Sequence, residues 1–98
     1  IQQLLIASHI KPWSDADDYE KQDSNNGLLL CANHDALFDK GYISFDYNGK
    51  IKISNLIDKS YYEKLNVDKN IKIKLNEKQN KYMEYHRKNI LQNEEIIE

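Results

Sequence analysis

The chain has 98 residues, and its 14 basic and 16 acidic residues leave a formal net charge of −2 at pH 7. A chain of this length forms one small domain with a modest core, because it buries roughly 60–65% of its unfolded surface. This charge balance excludes a uniformly basic nucleic-acid-binding protein. No apolar run approaches the ~20 residues that cross a bilayer, and a single cysteine excludes an internal disulfide.

The first half of the sequence predicts a strand, a loop, a second strand and a short helix. The strand runs from Gln2 to Ile10 and ends before Pro12, because proline lacks the N–H that a strand ladder needs. Residues 14–25 are polar and acidic and predict a surface loop. The apolar run 27–31 predicts a buried strand. A helix over 34–40 follows, with Asn33 as its N-cap and Gly41 at its end.

The second half predicts a hairpin and a long final helix. Strands over 42–46 and 50–54 flank an Asn-Gly pair, which is the strongest short-range hairpin signal. A short helix over 56–65 and a short strand over 71–75 follow. A capping box formed by Asn76 and Gln79 opens the last helix. Its inner stripe is predicted at Tyr82, Met83, His86 and Ile90, and the tail 92–98 is expected to fray. The elements together predict an α+β domain.

The chain has three histidines, His9, His34 and His86, and each lies in a structured, partly apolar segment. Histidine is the usual general base near neutral pH and the commonest metal ligand. If the first two strands pair antiparallel and the short helix packs across them, His9 and His34 face one shallow cleft. A lone histidine on an apolar face is more often a core residue, so the order of the surrounding motifs carries more information.

Three motifs occur in the order HIKPW, NGLLL and HDALFDKG, and together they resemble the HNH endonuclease family in its restriction-type variant. The resemblance covers residues 4–53, and YMEYHRKNI resembles a C-terminal helix of the same group. It implies a ββα-metal (His-Me finger) core over residues 2–54 with an added β-hairpin, and a C-terminal helical extension over 55–98.

The resemblance also implies roles for individual residues. His9 is the expected general base, and Asn26, with Asn25 as the alternative, orients the base or its loop. His34 is the expected ligand of one divalent cation, for which Mg²⁺ is preferred over Mn²⁺, Ni²⁺ or Zn²⁺. Asp39 is the candidate second ligand, with a solvent-facing or hydrogen-bonding carboxylate as the alternative.

The sequence departs from the family pattern near these residues. Ser8 stands where many relatives carry a metal ligand, and the two CxxC pairs of other relatives are missing. Asp39 lies five residues after His34, about 140° around an ideal helix, so a shared metal needs a distorted last turn. His86 could complete the ligand shell, although a core histidine is the favoured interpretation. Trp13 is predicted to cover the core rather than to stack on a base.

Charge is unevenly distributed along the chain. Residues 1–49 hold three lysines and eight acidic residues, whereas residues 50–89 hold eleven basic and five acidic residues. Arg87, Lys50 and Lys52 are candidate phosphate-binding residues, and ordinary solvated charge is the alternative for each.

We therefore predict a metal-dependent DNA endonuclease that acts in restriction or defence, with DNA as its partner and no membrane association. The alternatives are a catalytically degenerate nucleic-acid-binding module and a protein-interaction module. The sequence begins on Ile1 and not on methionine, from which we expect a fragment of a longer protein, and the lone Cys31 favours a reducing, cytoplasmic setting. Because no major-groove helix is evident, an upstream recognition domain is expected. Paired cuts would favour a homodimer.

Overall fold

A computed structural model describes residues 5–93 of the chain as two antiparallel β-hairpins and three α-helices. The strands are β1 (Leu5–His9), β2 (Gly27–Cys31), β3 (Ile43–Phe45) and β4 (Ile51–Ile53), and the helices are α1 (Asp18–Gln22), α2 (Ala32–Asp39) and α3 (Glu77–Asn89). The α+β prediction is confirmed. Within the described part of the chain, no helix is both long and apolar enough to cross a membrane.

The first hairpin pairs β1 with β2, so that His9 lies opposite Gly27. The predicted second strand is confirmed with its bounds, and residues 2–4 of the predicted first strand lie outside the described residues. The first strand ends at His9, earlier than predicted, because the backbone of Lys11 bonds to the side chain of Asn26 instead of to a strand.

The prediction of a loop over residues 14–25 was wrong in part. A 3₁₀ helix spans Trp13–Asp15, and α1 follows it. The cause is a complete capping box, in which Asp17 accepts the backbone N–H of Glu20 and its own N–H donates to the Glu20 carboxylate. Such a box stabilises a short helix that has no hydrophobic period.

The helix α2 begins at Ala32, two residues before the predicted start, and contacts both strands of the first hairpin. Its N-cap is Cys31, not the predicted Asn33. The side chain of Asn33 instead donates to the Leu65 carbonyl oxygen. Gly41 follows the helix with φ of 78°, a conformation that favours glycine, as predicted.

The second hairpin confirms the predicted alternation, because Ile51 is buried and Lys52 is exposed. Its turn is longer than two residues, with the Gly49 N–H donating to the Asp46 carbonyl oxygen. The helix predicted over residues 56–65 and the strand predicted over residues 71–75 are both largely irregular in the structure. Residues 56–65 contain only the 3₁₀ helix Lys59–Tyr61 followed by turns, and residues 71–75 contain one bridge, at Lys72, instead of a strand.

The predicted capping box of α3 is confirmed, since Asn76 and Gln79 each accept the other's backbone N–H. Met83 and His86 of the predicted inner stripe are buried, and Asn80 belongs to the same face. The tail beyond residue 93 lies outside the described residues. The helix packs on a core that is formed by residues from both halves of the chain: Ile10, Leu28, Leu30, Leu37, Phe38, Ile43, Phe45, Ile51, Val67 and Met83.

Candidate functional site

His9 is the last residue of β1, and its side chain is exposed. Its Nε2 atom lies 3.4 Å from the backbone carbonyl oxygen of Lys21, at the end of α1. A carbonyl oxygen only accepts hydrogen bonds, so this contact favours the tautomer with the proton on Nε2. The Nδ1 atom of that tautomer keeps its lone pair, which is the electronic state a general base requires.

The side chain of Asn26 binds the two chain segments near the His9 ring, namely the residues after β1 and the helix α1. It is 1% exposed, and its Oδ1 accepts the Lys11 backbone N–H at 2.7 Å. Its Nδ2 donates to the carbonyl oxygens of Lys11 and Glu20, each at 3.2 Å. The amide thereby ties the residues after β1 to α1, which places the Lys21 carbonyl group against His9.

Asn25, the alternative holder of this role, bonds elsewhere. Its amide donates to Asp23 at 3.2 Å, and its Oδ1 accepts from Asn76 at 3.1 Å. The structure therefore gives Asn26 the contacts that the predicted role requires. The Asn26 contacts are to the loop and not to the His9 ring, and the role itself stays a prediction.

An ion pair and several hydrogen bonds hold α1 in position. Lys11 Nζ lies 2.9 Å from the Glu20 carboxylate. The pKa of the Glu20 carboxyl is lowered by the hydrogen bond from the Asp17 backbone and then by Lys11. From α3, the Tyr82 hydroxyl donates to Asp23 at 2.7 Å, which is the main cause of a lowered pKa of that carboxyl. The final helix thus fastens the segment that orients the His9 ring.

Trp13 does not cover the core, so that prediction was wrong. Its side chain is 58% exposed and lies between two polar neighbours. The Lys21 amine lies 4.7 Å from its ring centre, and the His9 ring meets it edge-on with centres 5.7 Å apart. The indole extends the open surface beside His9 and leaves a flat aromatic face available.

An open cavity of about 250 Å³ lies at His9. It is lined by the end of the first hairpin and by the segment after α1: Ala7, Ser8, His9, Lys21, Gln22, Asp23, Ser24, Asn26 and Gly27. His34 is not among these residues. The strands pair as expected and α2 packs on them, but this cavity does not join His9 to His34.

The predicted metal ligands bond to other parts of the protein. Nε2 of His34 lies 2.7 Å from the Asn66 carbonyl oxygen and must carry a proton there, which leaves only Nδ1 to bind a metal. Asp39 is the exposed last residue of α2, and its charge acts on His86. Ser8, where relatives carry a ligand, is buried.

Among residues 5–93, no group of three or more histidine, cysteine, aspartate or glutamate side chains is placed to hold a metal ion. The described residues therefore offer no complete set of ligands for the expected cation. The assignment of His34 and Asp39 as ligands stays a prediction.

His86 is a core residue. It is 1% exposed and stacks on Phe38 with ring centres 3.8 Å apart. Its Nε2 donates to the Phe38 carbonyl oxygen, and its Nδ1 accepts from the Ser44 hydroxyl, each at 2.8 Å. Burial lowers the pKa of His86 to about 4. With both ring nitrogens bonded, this imidazole has no lone pair left for a metal.

The three candidate phosphate-binding residues have different environments. Arg87 uses Nη1 to bond the Phe45 carbonyl oxygen at 2.8 Å, so part of its guanidinium is structural. Lys50 and Lys52 are exposed. The sequence reasoning missed Lys72, which lies directly opposite Lys50 in a bridge. The alternation of lysine and isoleucine over residues 71–74, like that over 50–53, was the available signal.

Comparison with known proteins finds one family to which part of the chain is similar. A hairpin that carries a solvent-facing histidine and is followed by a helix lies within residues 2–46, and this segment matches the family model described as HNH endonuclease. The resemblance seen in the sequence motifs is confirmed for residues 2–46, which are similar to HNH endonucleases. No curated protein matches the chain. The predicted likeness of the C-terminal helix to the same group stays a prediction.

Proposed function

We propose that the chain hydrolyses phosphodiester bonds of DNA, with His9 as the general base. The observation that supports this most directly is the His9 ring, which is exposed at a strand end with Nε2 against the Lys21 carbonyl oxygen. The family match adds that the segment is of the nuclease type. The ring is thus oriented through one nitrogen, which leaves the other to accept a proton.

In this proposal, Nδ1 of His9 takes a proton from the water that attacks the phosphorus atom. The new P–O bond forms as the bond from phosphorus to the leaving oxygen breaks, and solvent returns a proton to the leaving oxygen. A positioned base typically contributes about 10²–10⁴-fold to the rate, and imidazole does so well because its pKa lies near neutral pH. Asn26 acts as a positioning residue, since it binds the loop and not the ring.

HNH nucleases use a divalent cation, and we extend this requirement to the chain as part of the proposal. Mg²⁺ remains the expected ion. Its ligands stay a prediction, because His34 bonds to Asn66 while Asp39 lies at the other end of α2. The roles in restriction or defence, the cytoplasmic location, the recognition domain and the homodimer also stay predictions.

A second candidate is a nucleic-acid-binding module that has lost catalysis. It is favoured by the buried Ser8, which stands where many relatives carry a ligand. It is also favoured by the bond from His34 Nε2 to the Asn66 carbonyl oxygen, which leaves only Nδ1 of that ring for a metal. In this case the domain would bind DNA equally well with and without a chelator.

Nicking of supercoiled plasmid DNA separates the two candidates. We expect cutting that requires Mg²⁺ or Mn²⁺, stops on chelation and falls about 10²–10⁴-fold in His9→Ala. Because the cavity at His9 is open, added imidazole should restore part of the activity of this variant. His34→Ala is the matched control, since imidazole should not rescue a lost ligand.

Undiminished cutting by His9→Ala would remove His9 from the base role. If the wild-type protein binds DNA but is inert with every divalent cation, the binding module is the better description. Binding is measured with the same plasmid, so the two results come from one preparation.

A further inference from the structure

A second cavity, of about 760 Å³, lies away from His9, between the turn of the second hairpin and the start of α3. It is lined by Tyr47 and Asn48 of the turn, by residues 72–75 and by the first turns of α3. Its volume is about three times that of the cavity at His9. Its lining residues all lie beyond residue 46, where the match to the HNH family ends.

Asn80 is a buried polar residue in the wall of this cavity. It is 6% exposed, and its Nδ2 donates to the Tyr47 carbonyl oxygen at 3.1 Å, which fixes the orientation of the amide. Its Oδ1 is buried and has no hydrogen-bond partner among the described residues. A buried acceptor without a partner has lost its hydrogen bonds to water without replacing them. The wall of the cavity therefore contains an acceptor that no described residue uses.

Lysines form a row beside the cavity. Lys72 and Lys74 line it, and Lys50 lies opposite Lys72 across the bridge. Alternate residues of an extended chain point to the same side, so Lys52 continues the row. None of these amines forms an ion pair with another residue in the described range 5–93. Glu77 is the acidic residue in the lining, and four lysines against this one carboxylate favour a polyanion.

Tyr47 adds an aromatic surface to this charge. Its side chain is 67% exposed at the tip of the turn, and the cavity begins beside it. Aromatic rings next to a positively charged groove are the usual means of binding unpaired nucleic acid, since every base has a face that can stack.

We propose that this cavity binds one nucleotide of an unpaired DNA strand. The base stacks on Tyr47 beside Asn80, and the phosphates on either side lie against Lys72 and Lys74. The inference deepens the proposed function, because it names the strand form that the domain holds, and it rests on DNA being the substrate.

The test is fluorescence anisotropy of a labelled single-stranded oligonucleotide with the full chain in chelator, where no cutting is expected. We expect Tyr47→Ala to weaken binding at least about fivefold, the lower end of a lost base–aromatic stack. The matched control is Tyr61→Ala, another exposed tyrosine, at 55%, which lies outside the cavity.

The charge is tested by salt titration. The double variant Lys72→Ala/Lys74→Ala should lower the slope of log K against log salt by about 1.4, since each single-strand phosphate contact contributes about 0.7. The double variant Lys40→Ala/Lys64→Ala removes the same charge outside the cavity and should leave the slope unchanged.

Equal losses on duplex and single-stranded DNA would overturn the assignment in favour of duplex backbone binding. Equal effects of the cavity and control variants, or no binding by the wild-type chain, would overturn it as well. Plasmid nicking tests the proposed function separately. A chain that cuts but is insensitive to Tyr47→Ala keeps the first proposal and loses this one, whereas one that binds through Tyr47 without cutting does the reverse.

Discussion

His9 and His86 are both histidines, but one is exposed to solvent and the other is buried in the core. His9 is exposed at a strand end, with one long contact from Nε2 to the Lys21 carbonyl oxygen. His86 is buried, stacked on Phe38 and bonded at both ring nitrogens. In each case a backbone carbonyl group selects the Nε2–H tautomer. What differs is whether Nδ1 already has a partner, and this decides whether the imidazole can react or only stabilise.

The largest expected effect on stability comes from removing the buried histidine. His86→Ala should lower the free energy of unfolding by about 3–5 kcal/mol, the range for deleting a buried ring. It also leaves the Phe38 carbonyl group without its partner. Urea denaturation at pH 7 measures the change.

His86→Phe separates the two causes of this loss. It keeps a ring against Phe38 but removes both hydrogen bonds, and should cost less than the alanine variant. His9→Ala is the control, because exposed substitutions usually stay within about 0.5 kcal/mol. Equal losses from His9→Ala and His86→Ala would contradict the comparison.

Lowering the pH should also reveal the effect of burying His86 on stability, without any mutation. The pKa of His86 is lowered to about 4 by burial, against about 6.5 for an unfolded histidine. The unfolded state therefore binds a proton first as the pH falls. Stability is unaffected by this group above pH ~6.5 and declines by about 3 kcal/mol as the pH falls to ~4.

Urea midpoints at several pH values between 7 and 4 measure this decline. Protonation of carboxyls whose pKa is lowered in the folded state, such as Asp23, also begins to reduce stability at the acid end of this range. The difference between wild type and His86→Phe therefore isolates the histidine. Parallel curves for the two proteins would mean that His86 is not buried as a neutral ring.

A smaller effect is expected from the residue that positions His9. Asn26→Asp keeps Oδ1 but replaces both donated hydrogen bonds with a carboxylate oxygen facing the carbonyl oxygens of Lys11 and Glu20. We expect a loss of about 1–3 kcal/mol and slower plasmid cutting at unchanged DNA binding. Asn70→Asp, at an exposed position, is the control, and cutting reduced equally by both substitutions would point to charge instead of position.

The sequence reasoning identified features that local chemistry determines. The second strand, the Asn-Gly hairpin, the end of α2 at Gly41 and the capping box at Asn76 each depend on neighbouring residues, and the structure has all four. The capping box of α1 was missed, although Asp17 and Glu20 stand at the required spacing. Residues 14–25 have no hydrophobic period and were therefore predicted as a loop, but a five-residue helix does not need such a period.

The candidate site was less predictable because its contacts are long-range. The exposure of Trp13, the bond from His34 to Asn66 and the Asn80 acceptor all depend on how distant segments meet. A pattern of residue types cannot show which carbonyl group a ring nitrogen faces. The motif order located His9 and Asn26, whereas the contacts of each atom required the fold.

The contacts of Gly41 determine how much of the chain must accompany the HNH-like segment. At Gly41 a β-carbon would collide with the Ile90 carbonyl group, and the Gln92 N–H donates to the Gly41 carbonyl oxygen at 2.8 Å. The HNH match ends at residue 46, yet the helix inside it is closed by backbone from residues 90–92. Anyone grafting this segment into a chimeric nuclease should therefore carry the chain through residue 92, because a shorter cassette would expose the end of α2 to water.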